Sequence, residues 1–289
     1  MRIHPVEVRR WCESLGGVAR TAELARVGVD RHSLRAALDA GELRRVREGV
    51  YATPDTGAEV ITAVLHGGAL GCANRLRAEG LWLIGCDDRV HVSMPPTGRR
   101  RPHAGCACVS HWTASTTDGG MGSLADALVQ LLQCRGAEDF FVALESAMRK
   151  RRLSRSGVQR LRARVQAQHR HLVDFARWDA DSGLESLLRL RFRRSGLDLA
   201  PQVRIPGVGR VDFVLIGLVV IEVDGVPGHA DSPLSRHKDL VRDAIASAHG
   251  LETLRFDYAL VVHEWPLVEA AILAAVDRAR RRRARRVVG

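Results

Sequence analysis

Aromatic residues are scarce: tryptophan, tyrosine and phenylalanine together make up 4% of the 289 residues. That leaves little material for platforms on which nucleic-acid bases could stack. Lysine is scarcer still, occurring only at Lys150 and Lys238, although the chain carries 44 basic residues. No run of eighteen apolar residues occurs, and the first residues lack an apolar signal-peptide core. The expectation is a cytoplasmic protein with no membrane partner. Six cysteines are present, but none forms a Cys-x-x-Cys pair. Cys106-x-Cys108 followed by His111 is their one cluster, and no second ligand pair at zinc spacing accompanies it. Small buried thiols in a reducing compartment are therefore expected.

What the chain has in plenty is positive charge. Its net charge is +11, almost all of it from arginine, and its pI is near 10.5. Such a balance favours a polyanion, either nucleic acid or an anionic membrane surface. Hydrophobic content of 46% supports ordinary cores, and the length suits two or three domains.

The most strand-like stretch runs from Gly209 to Gly225, GRVDFVLIGLVVIEVDG. Two short apolar runs split by Gly217 read as a β-hairpin. Glu222 and Asp224 stand two apart and share a face. A turn over Leu215, Ile216 and Gly217 sets Asp212 opposite Val220 and diagonal to Glu222, so that three carboxylates converge. A two-residue turn sends Asp212 to the other face, and the register stays open. Converging carboxylates repel unless a cation lies between them, and an all-oxygen donor set suits Mg²⁺ or Mn²⁺. The plainer reading has Asp212 and Glu222 as strand-end acids facing water.

The spacing Asp-x9-Glu-x-Asp on a hairpin resembles the core of PD-(D/E)xK nucleases. The wider run resembles the endonuclease-like domains related to very-short-patch-repair (Vsr) endonucleases. It comprises SGLESLLRLRFRRSGL at 182–197, RVDFV at 210–214, VIEVDGVPGH at 220–229, RHKDLVRDAIASAHG at 236–250 and LRF at 254–256. The resemblance implies a restriction-endonuclease-like α/β domain, with a metal held by Asp212, Glu222 and Asp224. It also implies that Glu185 joins the metal site from the preceding helix. Asp224 stands where the general pattern has lysine, so His229 or a basic residue of the next helix has to replace it.

The first fifty-odd residues carry a second pattern. A helix over Val6–Leu15 ends at Gly16-Gly17. A helix capped by Thr21 ends at Gly28, and one capped by Asp30 ends at Gly41. The last two read as a helix-turn-helix. LRRVREGVYATP then forms a small hairpin turning at Glu48-Gly49, which completes a winged helix. In that arrangement Arg31, His32, Ser33 and Arg35 face the major groove, while Arg44, Arg45 and Arg47 meet phosphate. The alternative is a protein-binding winged helix with solvated arginines. This segment resembles the N-terminal domain of AbiEi-type antitoxins of type IV toxin–antitoxin systems.

The middle is less legible. Helices are expected over Glu59–Leu70 and Asn74–Leu83, strands over 90–94 and 106–112, and further helices over Leu124–Leu132 and Phe140–Arg149. The order also resembles that of AbiEi-like proteins, which implies a docking or antitoxin platform. Further on, Leu184, Leu187, Leu188 and Phe192 form an apolar helical stripe, with Glu185 near the helix start and off it. As a first-turn acid, Glu185 also suits the helix dipole. His229 lies in a Gly/Pro-rich loop and reads either as a water-positioning base or as a solvated histidine. Lys238, in a helix over Leu234–His249, is either a charge-stabilising group or one more surface cation. Seven arginines between Arg278 and Arg286 read as a solvated helix end or tail.

The expected fold is therefore a multidomain α/β protein in three parts. These are a winged helix-turn-helix over 1–55, an AbiEi-like α/β region over 56–175 and an endonuclease-like domain over 176–289. The expected function is metal-dependent hydrolysis of DNA in phage defence or repair. The alternative is a catalytically inactive, AbiEi-like antitoxin or regulator that binds DNA, with a cognate toxin or a second copy as a possible partner. An RNA-associated adaptor has only charge in its favour.

Overall fold

The computed structural model describes residues 3–85, 87–114, 120–193, 195–197, 199–224 and 233–288, with the side chains of 233–236 and 286–288 left aside. The chain divides into two compact units, Met1–Ala176 and Arg177–Gly289. Both mix helices with β-sheet.

The first unit begins with α1 (Pro5–Ser14), β1 (Val18–Arg20), α2 (Thr21–Arg26), α3 (Arg31–Asp39), β2 (Arg44–Arg47) and β3 (Val50–Ala52). Asp30 caps α3, its Oδ1 accepting from Ser33 N–H at 2.7 Å. α2 starts one residue earlier than expected: Arg20 is its N-cap, and Glu23 reaches back to accept from Arg20 N–H at 2.6 Å. The three strands form an antiparallel sheet in the order β1-β3-β2. Gly49, at φ +69, makes the turn between β2 and β3. Val8, Cys12, Leu24, Leu34, Ala37 and Tyr51 pack beneath as one core.

The unit continues through α4 (Ala58–His66), β4 (Ala69–Leu70), α5 (Cys72–Ala78), β5 (His91–Met94) and β6 (Val109–Trp112). These three strands form a second sheet, ordered β4-β5-β6, with β5 and β6 parallel. Then come α6 (Leu124–Arg135), α7 (Ala137–Arg149), α8 (Arg155–Arg164) and α9 (Arg170–Phe175). α7 is buried continuously from Asp139 to Met148 and is the central helix of the unit.

The second unit holds α10 (Gly183–Phe192), β7 (Leu199–Ile205), β8 (Gly209–Leu215), β9 (Val219–Asp224), α11 (Pro233–Ala248), β10 (Glu252–Asp257), α12 (Tyr258–His263) and α13 (Trp265–Val288). Its sheet has the order β10-β9-β8-β7, antiparallel from β7 to β9, with β10 joining β9 in parallel. β7 was not expected because Pro201 interrupts its apolar pattern. A proline is tolerated there because β7 is an edge strand. Leu184, Leu187, Leu188 and Phe192 do form the buried stripe of α10. Of the two expected readings, the arginine-rich segment takes that of a solvated helix end: it continues α13 with residues 280–285 exposed, while Ala279 is buried and Arg278 and Arg282 pair with Glu252 of β10. No helix among the described residues is long and apolar enough to cross a membrane.

Phe140 is fully buried in α7. Phe140→Ala is expected to cost about 3–5 kcal/mol, read as a lowered urea midpoint for unfolding of the first unit.

Candidate functional site

The register of the β8–β9 hairpin decides what its acids can do together. Leu218 N–H donates to Leu215 O at 3.0 Å, around Ile216 (φ +46) and Gly217 (φ +74). Leu215 then pairs with Val219, Val214 with Val220 and Phe213 with Ile221. The connection is thus Ile216 to Leu218, one residue later than expected, and Val220 pairs with Val214 rather than with Asp212; the paired rungs end at Phe213–Ile221. Here the ladder gives way. Asp212 turns between the strands, and its Oδ2 accepts from Val223 N–H at 2.8 Å.

Asp212 is partly buried, and burial raises its pKa above the usual carboxylate value; the fields of Glu222 and Asp224 raise it further. Hydrogen bonds from Val223 and Gln202 pull the other way. Gln202 lies in β7, at φ +53, between rungs that pair Pro201 with Phe213 and Val203 with Val211. Its Nε2 donates to Glu185 Oε2 at 2.6 Å, so one amide links the acid of α10 to that of β8. Glu185 is buried, 6% exposed, where a first-turn acid off the apolar stripe is expected to meet water.

Glu222 is committed elsewhere. Its Oε1 takes Arg242 Nη2 of α11 at 2.6 Å, and its Oε2 takes Arg255 Nε of β10 at 2.8 Å. Arg255 also grips Asp243, which pushes that carboxyl below its ordinary pKa. Asp224 is exposed at the end of β9. Lys238 is exposed one turn before Arg242 on α11. His229 lies outside the described residues.

In this arrangement a divalent cation would have to displace guanidinium groups from Glu222. Both Glu222 oxygens hold guanidinium groups, and these supply the positive charge a metal would bring. Among the described residues, the His, Cys, Asp and Glu groups whose ligand atoms all lie within 4.8 Å of one another belong to the first unit; Asp212, Glu222, Asp224 and Glu185 do not form one. Sequence reading missed the roles of Gln202 and Arg255. Gln202 left one weak trace, a polar residue between Pro201 and Val203.

The basic surface of the first unit is built on α3. Leu34 and Ala37 face inward, which leaves Arg31, His32 and Arg35 exposed; Arg35 pairs with Asp39 at 3.0 Å. Two expected contacts change. Ser33 is 1% exposed, and its Oγ accepts from Ile3 N–H at 3.0 Å, so it cannot reach a groove. Arg47 is half-buried, with Nε donating to Val64 O at 3.0 Å, and so is not a free wing arginine. Burial, then the charges of Arg101 and Arg20, lower its pKa. Arg20 and Arg101 therefore belong to the same positive field, and sequence reading had assigned neither of them. Arg44 Nη2 donates to Thr56 O at 2.8 Å but stays exposed, and Arg45 is exposed beside it.

Residues 6–54 match the family described as "Transcriptional regulator, AbiEi antitoxin". No curated protein matches the chain.

The raised pKa of Asp212 has a consequence for stability. The folded chain holds that proton more tightly than the unfolded one, so the charged form costs stability once pH passes the ordinary aspartate value. Asp212→Asn is expected to raise the melting temperature at pH 7–8, because an amide oxygen still accepts from Val223. The gain should grow as pH rises from about 4 through the raised pKa of Asp212, and should be absent below that range. Calorimetry across pH checks it.

Proposed function

We propose that the chain is a DNA-binding transcriptional regulator of the AbiEi antitoxin kind. In this reading α1 to β3 act as a winged helix. One observation carries it: the segment matching the antitoxin family exposes Arg31, His32 and Arg35 along one helix while burying that helix's opposite side. The exposed helix face is the groove reader. Arg44 and Arg45, with the field of Arg20, Arg47 and Arg101, are the phosphate contacts that fix its position on the duplex. A cognate toxin is the partner this reading implies, with the remainder of the first unit as its docking platform.

The test is selection of duplexes from a randomised library by the full chain, followed by anisotropy titrations on the enriched site. Arg31→Ala is expected to cost about 1–3 kcal/mol of binding and to relax preference at one base pair. Replacing Arg44 and Arg45 together by alanine should lower affinity on all duplexes and flatten the log–log salt slope by about 1.8, roughly 0.9 for each phosphate lost. Failure to enrich any sequence, with no salt-dependent binding, sinks the proposal.

A second reading is favoured by Asp212, whose raised pKa beside Glu222 and Asp224 and link through Gln202 to Glu185 are the kind of perturbation found at reactive sites. Here the second unit is the Vsr-related nuclease domain, and Mg²⁺-dependent cleavage of DNA requires Glu222 to leave Arg242 and Arg255. Incubating plasmid with the full chain and Mg²⁺ decides it. Nicking by the parent and none by Asp212→Ala supports hydrolysis, whereas an intact plasmid with the parent removes this reading and leaves the regulator.

A further inference from the structure

We propose that the first unit contains a structural zinc site formed by Cys72, His91, His111 and Cys134. No motif joins these residues. They come from the start of α5, from β5, from β6 and from the last turn of α6. One ligand atom from each lies within 4.8 Å of every other. His91 Nδ1 is 2.9 Å from His111 Nε2, and Cys134 Sγ is 3.8 Å from His91 Nδ1. In a tetrahedral zinc site, with Zn–N near 2.1 Å and Zn–S near 2.3 Å, neighbouring ligand atoms stand about 3.4 to 3.8 Å apart. The cluster is of that size.

The surroundings are built for a ligand as well. His91 is fully buried, and its other nitrogen, Nε2, lies 3.1 Å from Asp87 Oδ2. A carboxylate there accepts the Nε2 proton and leaves the Nδ1 lone pair aimed into the cluster, which is how metal-binding histidines are commonly oriented. Asp87 is itself held by Arg89, whose Nη2 is 2.9 Å away. Cys72 is fully buried, and its backbone sits at φ +42, a conformation that non-glycine residues rarely adopt. Its N–H is held by Gln130 Oε1 at 2.9 Å. Two thiolates and two imidazoles make a donor set suited to zinc, and four protein ligands leave no open position for catalysis. The ion's role is to tie the small sheet to α5 and α6.

A second group, on different atoms, has the same composition. His66, at the end of α4, meets His103, Cys106 and Cys108 of the irregular segment between β5 and β6, with all four ligand atoms within 4.8 Å of one another. His66 Nδ1 is 3.1 Å from Cys106 Sγ, and His103 Nε2 is 3.8 Å from Cys108 Sγ. Ser110 Oγ, 2.9 Å from His66 Nε2, does for this histidine what Asp87 does for His91. Ser110 and His111 are neighbours on β6, so the two groups flank the sheet on opposite faces. We assign this group as a second zinc site, one that pins a segment lacking regular structure of its own.

The test is zinc content by elemental analysis of the untagged full chain purified under reducing conditions, together with cobalt substitution of the parent. The parent is expected to hold two zinc ions per chain. Cys134→Ser, at an exposed position, and Cys106→Ser should each hold one. A Cys134→Ser chain with parental zinc content overturns the first site, and a Cys106→Ser chain with parental content overturns the second. If either variant fails to fold, the cobalt spectrum of the parent decides. Intense tetrahedral bands with thiolate charge transfer, at two equivalents, sustain both sites. A weak octahedral spectrum, or no uptake of Zn²⁺, overturns both.

Discussion

A carboxylate withdrawn from water must find a proton, hydrogen-bond donors or a counter-charge. The second unit is organised around how Asp212 and Glu222 meet that demand differently. Glu222 receives two guanidinium groups, one from the helix above the sheet and one from the neighbouring parallel strand. Asp212 receives a backbone N–H and an amide, and it keeps a raised pKa. Arg242 also donates to Val208 O at 2.7 Å, so the same side chain that neutralises Glu222 fastens α11 to the start of β8. Ion pairs of this kind specify an arrangement more than they add stability, because desolvation offsets most of their attraction. Asp212 is therefore the member of the group that holds its proton more tightly than an ordinary aspartate.

In the first unit the equivalent constraint is the inward face of α3. Once Leu34 and Ala37 enter the core beside Val8 and Leu24, helical geometry leaves Arg31, His32 and Arg35 no direction but outward. Ser33 shows how narrow that division is. It neighbours His32 in sequence, yet it lies on the buried side, fixing the chain at Ile3. A positive surface here follows from packing, and it lies within residues 6–54, the segment that matches a family described as transcriptional regulators.

Much of this was legible in local pattern. The cap at Asp30, the turn at Gly49, the stripe of α10 and the hairpin around Gly217 each rest on residues close in sequence, where period and turn chemistry speak directly. The edge strand β7 was hidden by Pro201, and the register of the hairpin by a one-residue shift of its three-residue connection. Leu218, not Leu215, belongs to the connection, so Val220 pairs with Val214 rather than with Asp212.

By itself the sequence determined the arginine-dominated charge, the cap at Asp30, and the presence of three acids on one hairpin, because each depends on composition or on neighbours a few positions apart. Only the tertiary structure decided that Glu222 is held by Arg242 and Arg255, that Arg47 is tied to Val64, and that Cys72, His91, His111 and Cys134 share one space. These meetings join positions 17 or more apart through the packing of separate elements. Spacing along a chain carries no record of which elements will pack together.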